Sequence, residues 1–282
     1  MKTTAVSMRE MKSKGDKITM LTAYDYSTAK LMDSCGIDAI LVGDSLGMVM
    51  LGHANTLPVT MEEMIHHTKA VAKGCDETMV VADMPFMSYQ ATVHEAVANA
   101  GRFMKETGAG AVKMEGGRDI CKQIEAVTAA SIPVMGHLGL TPQSINALGG
   151  FKVQGKDRAN AEKLIDDARM VERAGAFAVV LECVPAELAA LITGMLEIPT
   201  IGIGAGAACD GQVLVYQDML SIYPGNKPKF VKQYCDIGSL MKGAFKDYID
   251  ETKSGAFPGP EHTFKIDPEV IEALRKQYAS QE

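Results

Sequence analysis

The sequence predicts an α/β protein folded as a (β/α)8 TIM barrel, and three observations carry that prediction. Short apolar runs alternate with amphipathic stretches along most of the chain, as in a parallel sheet with crossover helices. The runs are apolar at nearly every position, as in strands covered on both faces. Finally, separate runs end on a carboxylate: Ala39–Asp44, Met79–Asp83, Ala111–Glu115 and Phe177–Glu182. A buried carboxylate is costly unless it is paired or binds a metal. Carboxylates at the same ends of parallel strands share one pocket, on the face where such barrels do chemistry. The competing arrangement, an open doubly wound sheet, lacks its G-x-G-x-x-G after the first strand.

The first strand is expected over Ile18–Tyr24, with a helix at Ser27–Cys35 that Gly36 terminates. Strand two is Ala39–Gly43. A long connection, Leu46–Pro58, leads to a helix opened by a capping box at Thr60 and Glu63. Met61, Met64, Ile65, Val71 and Ala72 fall on one face of it. Strand three is Met79–Ala82, followed by a second capping box at Thr92 and Glu95. Strand four is Ala111–Met114 and strand five Pro133–Gly136. A polar, Gly-rich loop then precedes the helix marked by Leu164, Ile165, Ala168 and Val171. Strands six to eight are Phe177–Leu181, Pro199–Ile203 and Val213–Val215. The link between the last two is too short for an ordinary helix. Ile237, Leu240, Met241, Ala244, Phe245 and Tyr248 define an amphipathic helix near the C-terminus. It is available to wrap the barrel or to reach a neighbouring subunit. Ser254–Pro260 breaks the chain, and a short last helix carries Val270, Ile271 and Leu274.

With 282 residues, 47% hydrophobic and 22% charged, the chain has the composition of an ordinary soluble domain. Its net charge of −7, with both signs interspersed, argues against nonspecific nucleic-acid binding. No secretory signal and no membrane-length apolar run is visible. The 6 cysteines are scattered without C-x-x-C, as expected of reduced thiols in a cytoplasmic protein. Cys183, beside Glu182, reads either as a nucleophile or as a small packing residue.

Asp44, Asp83 and Glu115 are hard oxygen donors of the kind Mg²⁺ takes. No H-E-x-x-H or Cys/His cluster points to zinc. Each acid could instead cap a helix just past its strand, Asp44 most readily. Lys113 and Glu115 are two apart and face the same side of strand four. Lys113 is therefore either a cation for a substrate carboxylate or a partner in a structural ion pair. His137, ending strand five, reads as a hydrogen-bond donor to substrate or as a satisfied core histidine. His66 and His67 read as surface or packing residues on a helix, and His53 as a loop residue of unassigned role. Gly202–Gly206 fits an anion-binding loop or a tight βα turn.

Together these motifs resemble a family. Leu21-Thr-Ala-Tyr-Asp-Tyr26, Leu41-Val-Gly-Asp-Ser-Leu-Gly-Met48, Ala82-Asp-Met-Pro-Phe86, Val112-Lys-Met-Glu-Gly-Gly117, Gly136-His-Leu-Gly-Leu-Thr-Pro-Gln143 and Leu181-Glu-Cys-Val-Pro185 closely resemble ketopantoate hydroxymethyltransferase. The resemblance runs in order from about residue 3 to Phe264. It implies a barrel of the phosphoenolpyruvate/pyruvate-binding type over 1–264, with 265–282 a helical tail of no inherited role. It implies Mg²⁺-dependent transfer of a hydroxymethyl group from 5,10-methylenetetrahydrofolate to 3-methyl-2-oxobutanoate, on the route to pantothenate. Asp44, Asp83 and Glu115 fall at its metal positions. Asp44, Ser45, Asp83, Lys113 and His137 fall at its substrate positions, and Glu182 at its catalytic base. A metal-bound 2-oxo acid has an acidified C3 proton, which a strand-end carboxylate such as Glu182 can remove. The resemblance also implies a homo-oligomer, a decamer. Another metal-dependent 2-oxo-acid lyase, or a non-catalytic 2-oxo-acid-binding barrel, would share the acids without using folate.

Overall fold

The computed structural model describes residues 2–225 and 227–278. The chain divides into two compact units, Met1–Cys235 and Asp236–Glu282. The expected division after residue 264 rests on where the family motifs end, a different criterion from packing. The first unit contains a closed barrel of parallel strands in sequence order. They are β1 Ile18–Thr22, β2 Ala39–Val42, β3 Met79–Asp83, β4 Ala111–Glu115, β5 Val134–Gly139, β6 Ala178–Glu182, β7 Thr200–Ile203 and β8 Gly211–Leu214. β8 pairs back onto β1, which closes the sheet. The expected strands are all present, with ends shifted by a few residues. β1 stops at Thr22, β5 runs on through His137 to Gly139, and β8 starts earlier, at Gly211.

Sequence punctuation sets the helices. Thr60 and Glu63 form the expected reciprocal box at the start of Met61–Gly74. The second box forms only in part. Thr92 caps Val93–Glu106, but the Glu95 carboxylate accepts from the Thr92 hydroxyl instead of its backbone N–H. Gly36 takes a left-handed φ of 76° just past the helix Tyr26–Ser34, as a Schellman-type stop requires. No helix forms between β7 and β8, as their short link predicts. An N-terminal helix, Ala5–Lys14, adds to the expected elements; its polar composition hides its single buried anchor, Met8.

Two apolar layers result. One lies inside the barrel, where Met8 joins Met20, Met79, Val81, Met135, Ile201 and Val213. The other lies between the sheet and its helices, with Ile40, Val42, Val80, Val112, Val179 and Leu181 facing Met64, Val71, Phe103, Ile124 and Val171. Alternate residues of each strand serve the two layers, which explains the near-continuous apolar runs. The second unit contains the helices Ile237–Ser254 and Pro268–Tyr278, near the expected places, and neither has a buried residue. Residues 279–282 of the expected tail lie outside the described residues.

Candidate active site

The strand register decides which polar side chains meet. Asp83 pairs with Lys113 across β3 and β4, and Glu115 with His137 across β4 and β5. All four therefore enter the barrel interior at its C-terminal end. Lys113 Nζ lies 2.6 Å from Asp83 Oδ1 and 3.4 Å from Glu115 Oε1. His137 Nδ1 lies 3.1 Å from Glu115 Oε1 and 3.0 Å from Lys113 Nζ. Asp44 joins from the end of β2, where its backbone N–H donates to Asp83 Oδ2 at 3.1 Å. One oxygen from each of Asp44, Asp83 and Glu115 falls within a 4.8 Å cluster, and all three residues are buried. The helix-cap alternative for Asp44 fails. The short helix Leu46–Val49 starts after Ser45 without a side-chain cap, and Asp44 Oδ2 accepts from Gln143 instead.

The charges do not balance locally. The Lys113 ammonium and the His137 imidazolium face three buried carboxylates, with Glu182 beside them. Burial, then the charges of Asp83 and Glu115, hold the Asp44 carboxyl well above the usual range. Burial also raises Asp83, against the pull of Lys113. Glu115 goes the other way: burial opposes it, but Lys113 and then His137 hold its carboxyl low. Burial and the Lys113 charge push the His137 imidazole down, but Glu115 and Glu182 lift it to about 9. Buried acids clustered in this way, with hard oxygen donors converging, match the demands of a small divalent cation. On that chemistry the donor set fits Mg²⁺.

Glu182 lines the same cavity from the end of β6. Its Oε2 is 3.2 Å from His137 Nε2, without an aligned hydrogen bond. Its side chain is 15% exposed, against 2% for Glu115. No basic residue is near Glu182 in sequence; folding brings His137 there. A cavity of about 120 Å³ is lined by all these groups, Ser45, and the apolar Leu41, Val180, Ile203 and Val213. Ser45 Oγ is held 2.8 Å from the buried Tyr24 hydroxyl.

The other sequence candidates separate from this group. Cys183 adopts a left-handed φ of 49°, and burial, then Glu182, push its thiol up to about 11, which favours packing over a thiolate nucleophile. His67 bonds to the Tyr24 carbonyl at 2.7 Å, while His66 is exposed and His53 does not line the cavity. In Gly202–Gly206, Gly204 and Gly206 take positive φ where the chain leaves β7, as a tight turn does. Gln143 and Tyr89 were assigned no role from sequence. Gln143 is buried against both Asp44 and Glu115, and the Tyr89 hydroxyl meets the Glu115 backbone. Only the placement of Gln143 inside the Gly136–Gln143 motif marked it.

A closed parallel barrel with buried acids converging at its C-terminal mouth has the architecture on which barrel enzymes build their active sites. Its fold is shared by 2,3-dimethylmalate lyase of the PEP mutase/isocitrate lyase superfamily, at a TM-score of 0.59 and 16% identity over 100% of both chains. The sequence relation is much nearer. The profile of ketopantoate hydroxymethyltransferase matches residues 2–260. The 3-methyl-2-oxobutanoate hydroxymethyltransferase of Clostridium novyi (strain NT) is 63% identical over 97% of this chain and 100% of its own length. That of Enterococcus faecalis (strain ATCC 700802 / V583) is 64% identical with the same coverage. The chain belongs to the ketopantoate hydroxymethyltransferase family, and is thus an enzyme of hydroxymethyl transfer.

Proposed function

We propose that this site transfers a hydroxymethyl group from 5,10-methylenetetrahydrofolate to 3-methyl-2-oxobutanoate in a Mg²⁺-dependent reaction, giving 2-dehydropantoate for pantothenate synthesis. The carrying observation is that Glu182 and the Asp44–Asp83–Glu115 cluster line one cavity, in a chain whose relatives are named for this acceptor. Asp44, Asp83 and Glu115 would hold the metal. A Mg²⁺ ion held by them would supply Lewis acidity toward a bound 2-oxo acid. Lys113 offers its ammonium to the oxygen that gains charge. Ser45, oriented by Tyr24, donates to the substrate carboxylate. Leu41, Val180, Ile203 and Val213 give the branched end of the acid an apolar wall. Glu182 takes the C3 proton, and the nearby His137 steadies the carboxylate that does so.

Incubation of purified protein with 3-methyl-2-oxobutanoate, methylenetetrahydrofolate and Mg²⁺ tests this reading. The expected product is 2-dehydropantoate, formed only when all three are present. Absence of 2-dehydropantoate from the complete mixture would overturn this reading and leave the lyase alternative.

The active form proposed is a cytoplasmic homo-oligomer, a decamer by family resemblance. The cysteines are free thiols, and no described helix is long and apolar enough to cross a membrane. Leu240, Phe245 and Tyr248 leave apolar surface exposed on the C-terminal helix, which suits association. Sedimentation as a 30.2 kDa monomer at micromolar concentration would overturn the assembly.

A further inference from the structure

Gln143 is the most fully engaged side chain at the site, yet it does not line the cavity. It sits in the 3₁₀ turn Pro142–Ser144 just after β5, and it is 5% exposed. Its backbone N–H donates to Glu115 Oε2 at 3.0 Å. Its Nε2 donates to Asp44 Oδ2 and to the Met84 carbonyl, both at 2.9 Å. Its Oε1 accepts from the Tyr89 hydroxyl at 2.8 Å and from Gln90 Nε2 at 3.0 Å. The amide orientation is thereby set. A flip would turn Oε1 toward the Met84 carbonyl, which has no proton to share. One residue thus ties the end of β2, the segment after β3 and the end of β4 together.

We infer that Gln143 is a positioning residue for the metal carboxylates, fixing Asp44 and Glu115 relative to each other before a cation arrives. Two physical points support this. Asp44 and Glu115 carry like charge in a buried space and repel, so an unheld pair spreads or takes up a proton. Gln143 restrains both, Asp44 through its side chain and Glu115 through its main chain. Outer partners of ligating carboxylates commonly control affinity by fixing the ligands in place. Gln143 acts through the ligands and not on substrate, so its removal should show in metal binding more than in turnover at saturating metal.

This inference rests on the Mg²⁺ reading above, and its test separates the two. Titration calorimetry with MgCl₂ is run on wild type, Gln143→Met and Tyr89→Phe, with circular dichroism to confirm folding. Gln143→Met keeps the volume and removes both side-chain functions. It should bind Mg²⁺ on the order of ten- to a hundredfold more weakly. In assays its apparent KM for Mg²⁺ should rise by a similar factor, while kcat at saturating Mg²⁺ stays near wild type. Tyr89→Phe removes the anchor on Gln143 Oε1 and should weaken Mg²⁺ in the same direction by a smaller factor; it decides the matter if Gln143→Met does not fold. Wild-type Mg²⁺ affinity in a folded Gln143→Met, or in Tyr89→Phe where that variant must decide, would overturn the inference and leave the metal reading standing. Absence of Mg²⁺ binding by wild type would sink the metal reading, and this inference with it.

Discussion

The two ends of the barrel use the same side chain, a carboxylate, in opposite ways. At the N-terminal end each acid has its own donors. Asp33 Oδ1 accepts from the Glu77 and Thr78 N–H groups and the Thr78 hydroxyl, at 3.1, 3.0 and 2.7 Å. Asp38 accepts from the Thr19 N–H and hydroxyl at 2.8 and 2.7 Å. Asp210 pairs with Lys12 at 2.9 Å and accepts from the Thr200 N–H at 2.8 Å. These bonds staple helices and loops to strand starts. At the C-terminal end Asp44, Asp83 and Glu115 crowd one another around one lysine. The first arrangement pairs these acids locally, whereas the second leaves Asp44 and Asp83 held above the usual carboxylate range. Such a division between a stable base and a strained mouth is what a barrel enzyme requires.

Substitutions at the mouth should have the largest effects. Lys113→Met removes the only ammonium among the buried acids. Metal-free stability in urea should fall by about 3–5 kcal/mol, the range for breaking one partner out of a buried pair. Added Mg²⁺ should restore part of the loss, and the KM for 3-methyl-2-oxobutanoate should rise. A neutral result would mean the acids are not charged against it. Next is Glu182→Gln. C3 deuterium exchange of 3-methyl-2-oxobutanoate, followed by NMR without folate, should slow on the order of a hundredfold or more. Mg²⁺ and substrate binding should persist. Exchange at the wild-type rate would move the base to another group, with His137 tested first.

The base of the barrel should respond differently. Burial opposes ionisation of Asp33, but the Thr78 and Glu77 bonds hold its carboxyl down to about 2, from 3.8 unfolded. A lowered acid stabilises the fold above its unfolded value and loses that contribution as pH falls through its folded one. Asp33→Ala should therefore cost about 1 kcal/mol near neutral pH. The difference from wild type should shrink as pH falls from about 4 to about 2. Mg²⁺ affinity should not change. A coupled loss of Mg²⁺ binding would erase the distinction between the two ends.

The sequence exposed the barrel and its acids because both are written locally. Runs such as Met79–Asp83 show burial and a terminal charge within a few residues, and Thr60 with Glu63 marks a helix start by spacing alone. What stayed hidden depends on distant parts of the chain. The contact of His137 with Glu182 needs two strands in register, and Gln143 is a polar residue in a loop until folding lays it between Asp44 and Glu115. The N-terminal helix is hidden in the sequence for a related reason. Ala5–Lys14 is mostly polar, and only the barrel interior reveals why Met8 matters.

The central claim, that the mouth holds excess negative charge awaiting a cation, is tested most directly by melting metal-free Asp44→Asn beside wild type. Asp44 is raised by burial and by Asp83 and Glu115. A raised acid favours the fold at low pH and loses that contribution as pH climbs from its unfolded value toward its folded one. Removing its charge should thus raise the metal-free Tm at pH 7 by a few degrees, on the order of 1 kcal/mol. Calorimetry on the same sample should show Mg²⁺ binding lost, and the gain in Tm should vanish below about pH 4. A metal-free Asp44→Asn protein that melts below wild type at pH 7, or that still binds Mg²⁺ at wild-type affinity, would contradict the account.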